Sequence, residues 1–484
     1  MTIAQKLADA DPTDLEGLRS SLRASDSEAR LLPLGMSRIE IGDGALDSLP
    51  EAVAGVARGP GVVLVMDATP MWRGTEDLKG RVAALLAGRF GMRRAVIGTG
   101  RAALHADDEA LAEAEAAVAG AGCVVVVGSG TITDVCKEAT ARAGRRAGEG
   151  PPPLVVVQTA ASVNAFSDDM AVLLKAGTKR TVPSRWPDVL LVDLPVIADA
   201  PPAMNLAGFG DLVSMWTAPA DWYLASALGM DDSYHAAPVE LLRKGGRRLL
   251  DDAAGLRQRD LGALEKLARV LTLSGISLGV AGKTSPLSGT EHLISHLVDM
   301  AAEQSDLPLA LHGAQVAVAA VTVASAWQML VDHFDPSTVD PDRLFPSKGD
   351  MEPAVREAFS VIDPSGEIGE ECWHDYRKKL ASWHAARPRV ETALRRWPEH
   401  RAKIGEMVMP PERLAGALRE AGAPVRFSEL DPPVGPEVAR WALKNCHLMR
   451  NRFTLADLLF LAGHWNDDSV EELLERSASA GGGL

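Results

Sequence analysis

The sequence predicts an α/β amino-terminal half built on a parallel sheet, followed by an all-helical half. Two observations carry this expectation. From Gly61 onward, short Val-rich apolar runs alternate with stretches of helical composition; beyond Pro201–Pro202 such runs stop, and apolar residues recur at helical spacing to the carboxyl terminus. A chain of 484 residues, 46% hydrophobic and 24% charged, carries enough apolar material for ordinary cores in both halves.

In chain order, residues 4–31 read as exposed or partly packed helix, so residues 1–31 are expected to form a helical extension without chemistry of its own. The runs VVLVMD (62–67), RAVIGTG (94–100), CVVVVGSG (123–130), LVVVQTA (154–160) and VLLVDL (189–194) are apolar without alternation, which is the pattern of strands covered on both faces. DDEALAEAEAAVAGAG (107–122) supplies one of the covering helices, and AGEGPPPL (147–154) reads as a loop. An α/β domain is therefore expected over 32–200. HLISHLVDMAAE (292–303) and AQVAVAAVTVASAWQML (314–330) exemplify the helical domain expected over 201–476, and SASAGGGL (477–484) reads as a flexible tail.

The formal net charge of −15 opposes a general affinity for nucleic acid or anionic membrane, since both need a basic face. Cys123, Cys136, Cys372 and Cys446 lie far apart with no CxxC pair, as expected of reduced thiols. The first residues lack the apolar core of a signal peptide and no uninterrupted run of about 18 apolar residues occurs, so a cytoplasmic protein without membrane insertion is expected.

VVVVGSGTITDVCKEATARAG (124–144) is a buried strand, a glycine turn and a helix in succession. Gly128 and Gly130 allow close backbone approach to a pyrophosphate, toward which the following helix directs unpaired N–H groups. The third glycine of the GxGxxG pattern is missing, which argues against an ordinary Rossmann dehydrogenase; a strand-to-helix turn that needs small residues would read the same. Asp67 closes the VVLVM strand, where a carboxylate can hold an adenosine ribose or simply form a turn. In the helical half, His292 and His296 lie four apart on one helix face, and His312 opens the next helix. Asp211 follows a GFG segment read as a flexible turn near a helix start. One Asp and two His from separate elements make an open three-ligand metal site, although single histidines on such helices are commonly packed or surface residues.

The order GSGTITD, QTAASVNAFSDD (158–169), GFGD with ADW, SGTEHLISH and LHGAQV resembles the glycerol-1-phosphate dehydrogenase branch of the iron-containing alcohol dehydrogenase and dehydroquinate-synthase-like superfamily. LPLGMSRIEIGDGALDSLPEAV (32–53) resembles the family's opening strand pair, and MPPERLAGALREAGAP (409–424) with MRNRFTLADLLFLAGHW (449–465) its carboxyl-terminal helices. The resemblance implies a dehydroquinate-synthase-like fold and a metal-dependent, NAD(H)- or NADP(H)-linked alcohol dehydrogenase, with dihydroxyacetone phosphate or a close ketone phosphate reduced to sn-glycerol 1-phosphate. It implies diphosphate binding by Gly128, Ser129 and Gly130, with Asp134 ordering the turn; Thr159 and Ser162 beside the nicotinamide; Asp67 on the adenosine side; and Asp211, His292 and His312 around one divalent Zn, Ni or Fe. His296 then faces the substrate or supports the ligands, Lys283 is the nearest base in sequence for a phosphate, and a homodimer or larger assembly is expected. Relatives carry an Asp where this chain has Asn164 and a Lys where it has Met215, departures that bear on the substrate. Asp67 would favour NAD by repelling a 2′-phosphate, an effect that arginines from Arg73 onward could offset. Readings that compete with this one are a different polyol or sugar ketone, a cyclase using NAD transiently, and a catalytically silent binding relative.

Overall fold

A computed structural model describes residues 2–59, 61–101, 104–148, 150–175 and 178–484. Its strands, in chain order, are β1 (Arg38–Gly42), β2 (Gly61–Met66), β3 (Trp72–Arg73), β4 (Glu76–Asp77), β5 (Gly91–Val96), β6 (Cys123–Gly128), β7 (Leu154–Gln158), β8 (Met170–Lys175), β9 (Thr178–Pro183) and β10 (Val189–Asp193). The chain forms two compact units, residues 1–209 with 237–283, and residues 210–236 with 284–484.

The first unit holds a six-stranded sheet of order β1-β10-β7-β6-β2-β5, parallel at every pairing. The inner strands β6, β7 and β10 are buried throughout, as unbroken Val and Leu runs require, whereas β1 alternates and β5 exposes much of its length, including Arg93 and Arg94. Val62, Leu64, Cys123, Val125, Val155 and Val157 share one face and pack with Leu49, Val53, Leu78, Val82 and Leu86 of helices Leu49–Val56 and Leu78–Ala87. Because β5 lies beyond β2 on one side and β6 on the other, the strand order reverses between β2 and β6. Crevices that admit nucleotides open at the carboxyl ends of strands at such a reversal. The register Met66↔Val127 and Gly128↔Gln158 brings Asp67, the Gly128–Gly130 turn and Thr159 to that end of the sheet.

Several expectations change. The segment 32–53 forms one strand, β1, followed by a 3-10 turn and helix Leu49–Val56, so the expected opening strand pair is a single strand whose partner is the distant β10. The antiparallel pairs β3–β4 and β8–β9 were not expected. Residues 237–283 are helical as expected, but they pack with the first unit rather than with the rest of the helical half. The cause is helix Leu261–Ala281, where Gly275 and Gly279 admit Ser167 and Trp186 so closely that a Cβ would lie 2.2 Å from each. The amino-terminal helices Ile3–Ala8 and Leu15–Ser25 join this unit through Arg269–Asp11 and Lys244–Asp9 ion pairs.

In the second unit, helices surround a core that includes Trp327, Phe359, Trp383 and Phe427. Among the described residues, one helix, His312–His333, is long and apolar enough to cross a membrane; it is mostly buried in the unit, which accounts for its apolarity. The segment 477–484 is not a loose tail. Helix Asp467–Ala480 continues through Ser477, residues 480–483 are buried, and Phe427 N–H donates to the Gly483 carbonyl.

Candidate active site

Helix Gly130–Ala147 begins directly at the end of β6, with Ser129 as its N-cap residue and no side-chain capping bond, so its first amides are not claimed by a cap. Gly128 and Gly130 are required by close approach: a Cβ on Gly128 would lie 2.2 Å from Ile132 Cγ2, and one on Gly130 2.6 Å from Val163 Cγ2. Thr159 N–H donates to the Gly128 carbonyl, binding the end of β7 to the turn. Thr159 and Ser162 are buried, and Asn164 lies in the loop that follows. An uncapped helix start beside a tightly folded glycine turn at a sheet reversal fits a dinucleotide diphosphate.

Asp134 does not order the glycine turn. It lies one turn into the helix, where it accepts from Val172 N–H of β8 and pairs with Lys137 Nζ at 2.9 Å. Lys137 is fully buried, pairs also with Asp168 at 2.6 Å, and donates to the carbonyls of Ala165 and Met170. Burial and the neighbouring Asp168 push the Asp134 carboxyl above its ordinary value, opposed by Lys137. This network, which the sequence patterns did not reveal, fixes the loop that carries Asn164; its signal was Lys137 three residues after Asp134, paired with the Asp168–Asp169 doublet.

Asp67 forms the turn that competed with its ribose reading. It accepts from Thr69 N–H at 3.1 Å and pairs with Lys79 Nζ at 2.8 Å, while Arg73 pairs with Asp193 at 2.9 Å. Lys79, not Arg73, is therefore the cation that pairs with Asp67. Lys283 N–H donates to the Leu278 carbonyl as helix Leu261–Ala281 ends.

In the second unit, Asp211, His292 and His312 converge, their ligand atoms all within 4.8 Å of one another. Asp211 lies near the end of helix Pro202–Leu212 rather than behind a flexible turn, because the GFG residues are helical. Gly210 is there for contact: a Cβ would meet the Gly313 carbonyl oxygen at 2.3 Å. His292 stands in the first turn of helix Thr290–Gln304 and His312 opens helix His312–His333. Met215 is buried in the 3-10 turn Val213–Trp216.

Hydrogen bonds orient both imidazoles. Glu291 Oε1, buried, lies 2.9 Å from His292 Nδ1 and also accepts from Gly289 N–H, while Oε2 accepts from Thr217 Oγ1. The Ser295 hydroxyl donates to Gln315 Oε1 at 2.8 Å, so at 3.2 Å it accepts from His312 Nδ1–H. Gln315 in turn donates to Asp299. With both Nδ1 atoms so committed, Nε2 is the ring atom that each histidine turns toward Asp211, and loss of its proton would offer a lone pair to a cation, the arrangement that metal-binding histidines require. Burial opposes charge on His292, but hydrogen bonds to Asp211 and Glu291 raise it to about 9; burial likewise works against the Asp211 charge, yet His292 holds it below the usual carboxylate value. A carboxylate and two oriented imidazoles, hard and borderline donors together, fit a divalent transition metal. His296 is outside this triad: its ring stacks on His312 at 5.6 Å, and with Asp299 and His312 it forms a second, overlapping group within 4.8 Å. Glu291, Ser295 and Gln315 were not anticipated, although Glu291 adjoins His292 in sequence.

Residues 40–201 match the family model described as iron-containing alcohol dehydrogenase. The chain is 28% identical over 429 residues to the glycerol-1-phosphate dehydrogenase, NAD(P)+, of Bacillus licheniformis, covering 87% of this chain and 88% of that protein. It is 32% identical over 292 residues to the protein of the same name from Aeropyrum pernix, covering 59% of this chain and 76% of that protein. Among solved structures it is similar to a 1,3-propanediol oxidoreductase (TM-score 0.55, 16% identity, 92% of this chain and 99% of that one). It is also similar to maleylacetate reductase from Agrobacterium tumefaciens (TM-score 0.53, 19% identity, 93% and 98%). These structures establish the fold, which is that of iron-containing alcohol dehydrogenases. By its similarity to the Aeropyrum pernix protein over most of that protein's length, the chain belongs to the glycerol-1-phosphate dehydrogenase family and is an NAD(P)-dependent alcohol dehydrogenase that uses a divalent metal.

Proposed function

We propose that the protein reduces dihydroxyacetone phosphate, or a close ketone phosphate, to sn-glycerol 1-phosphate, with Asp211, His292 and His312 as the metal ligands. The convergence of those three side chains, each imidazole with its Nδ1 already committed, is the observation that carries the reading. When bound, the cation supplies Lewis acidity toward a carbonyl oxygen and the reduced nicotinamide supplies the hydride.

The chain's own residues do the rest. Asp211 brings the negative charge that makes the site cation-selective; Glu291 and Ser295 hold the imidazole tautomers; Gly128, Ser129 and Gly130 seat the diphosphate; and Thr159 and Ser162 border the nicotinamide. Asn164 and His296 are assigned to the substrate. The 32–200 segment is read as the cofactor-binding domain, and a homodimer or larger homo-oligomer as the working assembly. The names of the relatives support the reaction class and the cofactor.

The test is oxidation of NADH and NADPH by metal-loaded protein against dihydroxyacetone phosphate, dihydroxyacetone and a panel of sugar ketones. A preference for the phosphorylated triose, with glycerol 1-phosphate of the sn-1 configuration as product, is expected. Turnover confined to unphosphorylated ketones would overturn the substrate assignment.

A further inference from the structure

Arg452 stands in the second unit just before helix Leu455–Leu461, and it is held differently from Lys137, Lys379 and Arg73. Lys137 pairs with Asp134 and Asp168, Lys379 with Asp457, and Arg73 with Asp193. Arg452, among the described residues, makes no ion pair. Its Nη1 donates to the Ser288 carbonyl and, at 2.7 Å, to Ser288 Oγ, and its Nη2 donates to Thr284 Oγ1 at 2.5 Å. Nε–H and the second Nη2–H have no protein acceptor among the described residues.

The acids whose fields reach Arg452 are Glu291, Asp221 and Asp231, and Arg450, two residues away in sequence, is a like charge that also acts on it. Glu291 is taken up by His292, Gly289 and Thr217; Asp221 accepts from Thr290 N–H, Thr290 Oγ1 and Leu455 N–H; Asp231 accepts from Ser233. None of these carboxylates touches the Arg452 guanidinium. Burial and Arg450 lower the Arg452 pKa, the direction expected of a cation short of a counter-charge.

The oxygens that Arg452 does hold, from Thr284 and Ser288, belong to the segment that leads directly into helix Thr290–Gln304, which carries His292 and His296. A guanidinium so placed offers N–H bonds of the geometry that a phosphate accepts, with hydroxyls alongside. We propose that Arg452, with the charge of Arg450 nearby, receives the phosphate of the substrate, a role for which Lys283 was the sequence-based candidate. The inference rests on the substrate reading given above.

The test compares kcat/KM for dihydroxyacetone phosphate and for dihydroxyacetone in the metal-loaded enzyme. Arg452→Gln is expected to lower the phosphate-to-free ratio by about a hundredfold, and Arg452→Lys, which keeps the charge without the fork, by about tenfold. Metal content, NADH affinity and turnover of dihydroxyacetone stay near wild type. A fall of equal size on both substrates would show that Arg452 is a clamp for the 284–288 segment and overturn the inference. So would an unchanged ratio in a wild type that prefers the phosphate, in which case the substrate reading stands. A wild type without that preference overturns both. Should Arg452→Gln fail to fold, Arg452→Lys takes its place: a ratio lowered by about tenfold supports the inference, and an unchanged ratio or an equal fall on both substrates overturns it.

Discussion

Oδ1 of Asp211 lies 3.3 Å from Nε2 of His292 and 4.0 Å from Nε2 of His312, so a single carboxylate oxygen faces both imidazoles. A site reduced to two protein ligands loses affinity and geometry together. His312→Ala is therefore expected to purify without stoichiometric metal and to lose nearly all turnover while remaining folded by circular dichroism. His296→Ala should retain its metal. Elemental analysis showing that His296→Ala is the emptied variant would place the cation in the overlapping His296, Asp299 and His312 group instead.

The His292 pKa of about 9 makes a second expectation. An imidazole must give up its proton to bind a metal. Apparent metal affinity should therefore rise with pH up to about 9, by roughly tenfold per unit above neutrality, with close to one proton released. In the metal-free protein the sign is opposite: the stability contributed by protonated His292 is complete below about 6.5 and is lost as pH rises through about 9. Calorimetric titrations at pH 7, 8 and 9 in buffers of different ionisation enthalpy measure the metal affinity and the proton release, and urea unfolding of the metal-free protein at the same pH values measures the stability. A flat affinity would mean that His292 is already neutral at pH 7.

Gly130 faces Val163 at a distance that leaves no room for a methyl group, so Gly130→Ala is expected to destabilise the protein by about 1–3 kcal/mol through overpacking. Adding Val163→Ala should recover most of that loss in urea unfolding. If the turn binds diphosphate and needs the bare backbone at Gly130 to do so, NADH affinity stays reduced in the double variant. Full recovery of NADH binding would reduce Gly130 to a packing role.

Removing Lys137 would strand two carboxylates. Lys137→Met should cost about 3–5 kcal/mol, the magnitude of breaking a buried pair by deleting one partner. Asp134→Asn with Asp168→Asn in the same chain should lessen that cost. A loss below about 1 kcal/mol for Lys137→Met would show that water reaches the network.

Asn164 occupies the loop that this network anchors, and its carbonyl accepts from Ser167 N–H at 3.2 Å. Placing a carboxylate there by Asn164→Asp is expected to shift the kcat/KM ratio toward unphosphorylated substrates by about tenfold, since a negative charge there repels a second one. An unaltered ratio would show that this loop does not read the substrate.

Much of the site was legible because its chemistry lies in residue types at diagnostic spacing. The Val runs, the glycine turn and the order of Asp211, His292 and His312 each appear in the sequence as short patterns, and the structure brings these three side chains together. What escaped has a common cause. The Lys137 network, the Ser295–Gln315–Asp299 chain and the packing of residues 237–283 with the first unit depend on which distant segments meet, which periodicity does not encode. Asp134 shows the converse error, in which a carboxylate in a motif position serves β8 and Lys137 rather than the glycine turn. The GFG segment was misjudged because glycine reads as freedom in a sequence, whereas Gly210 is fixed by the carbonyl it touches.

That contact between Gly210 and Gly313 has a consequence for how the site tolerates change. Asp211 follows the first of these glycines and His312 precedes the second, so the separation of the two proposed ligands is gauged by main chain resting on main chain. A methyl group at Gly210, remote from the chemistry in character though next to it in sequence, would wedge the ligands apart. The proposed metal site is thus brittle at a residue that has no side chain.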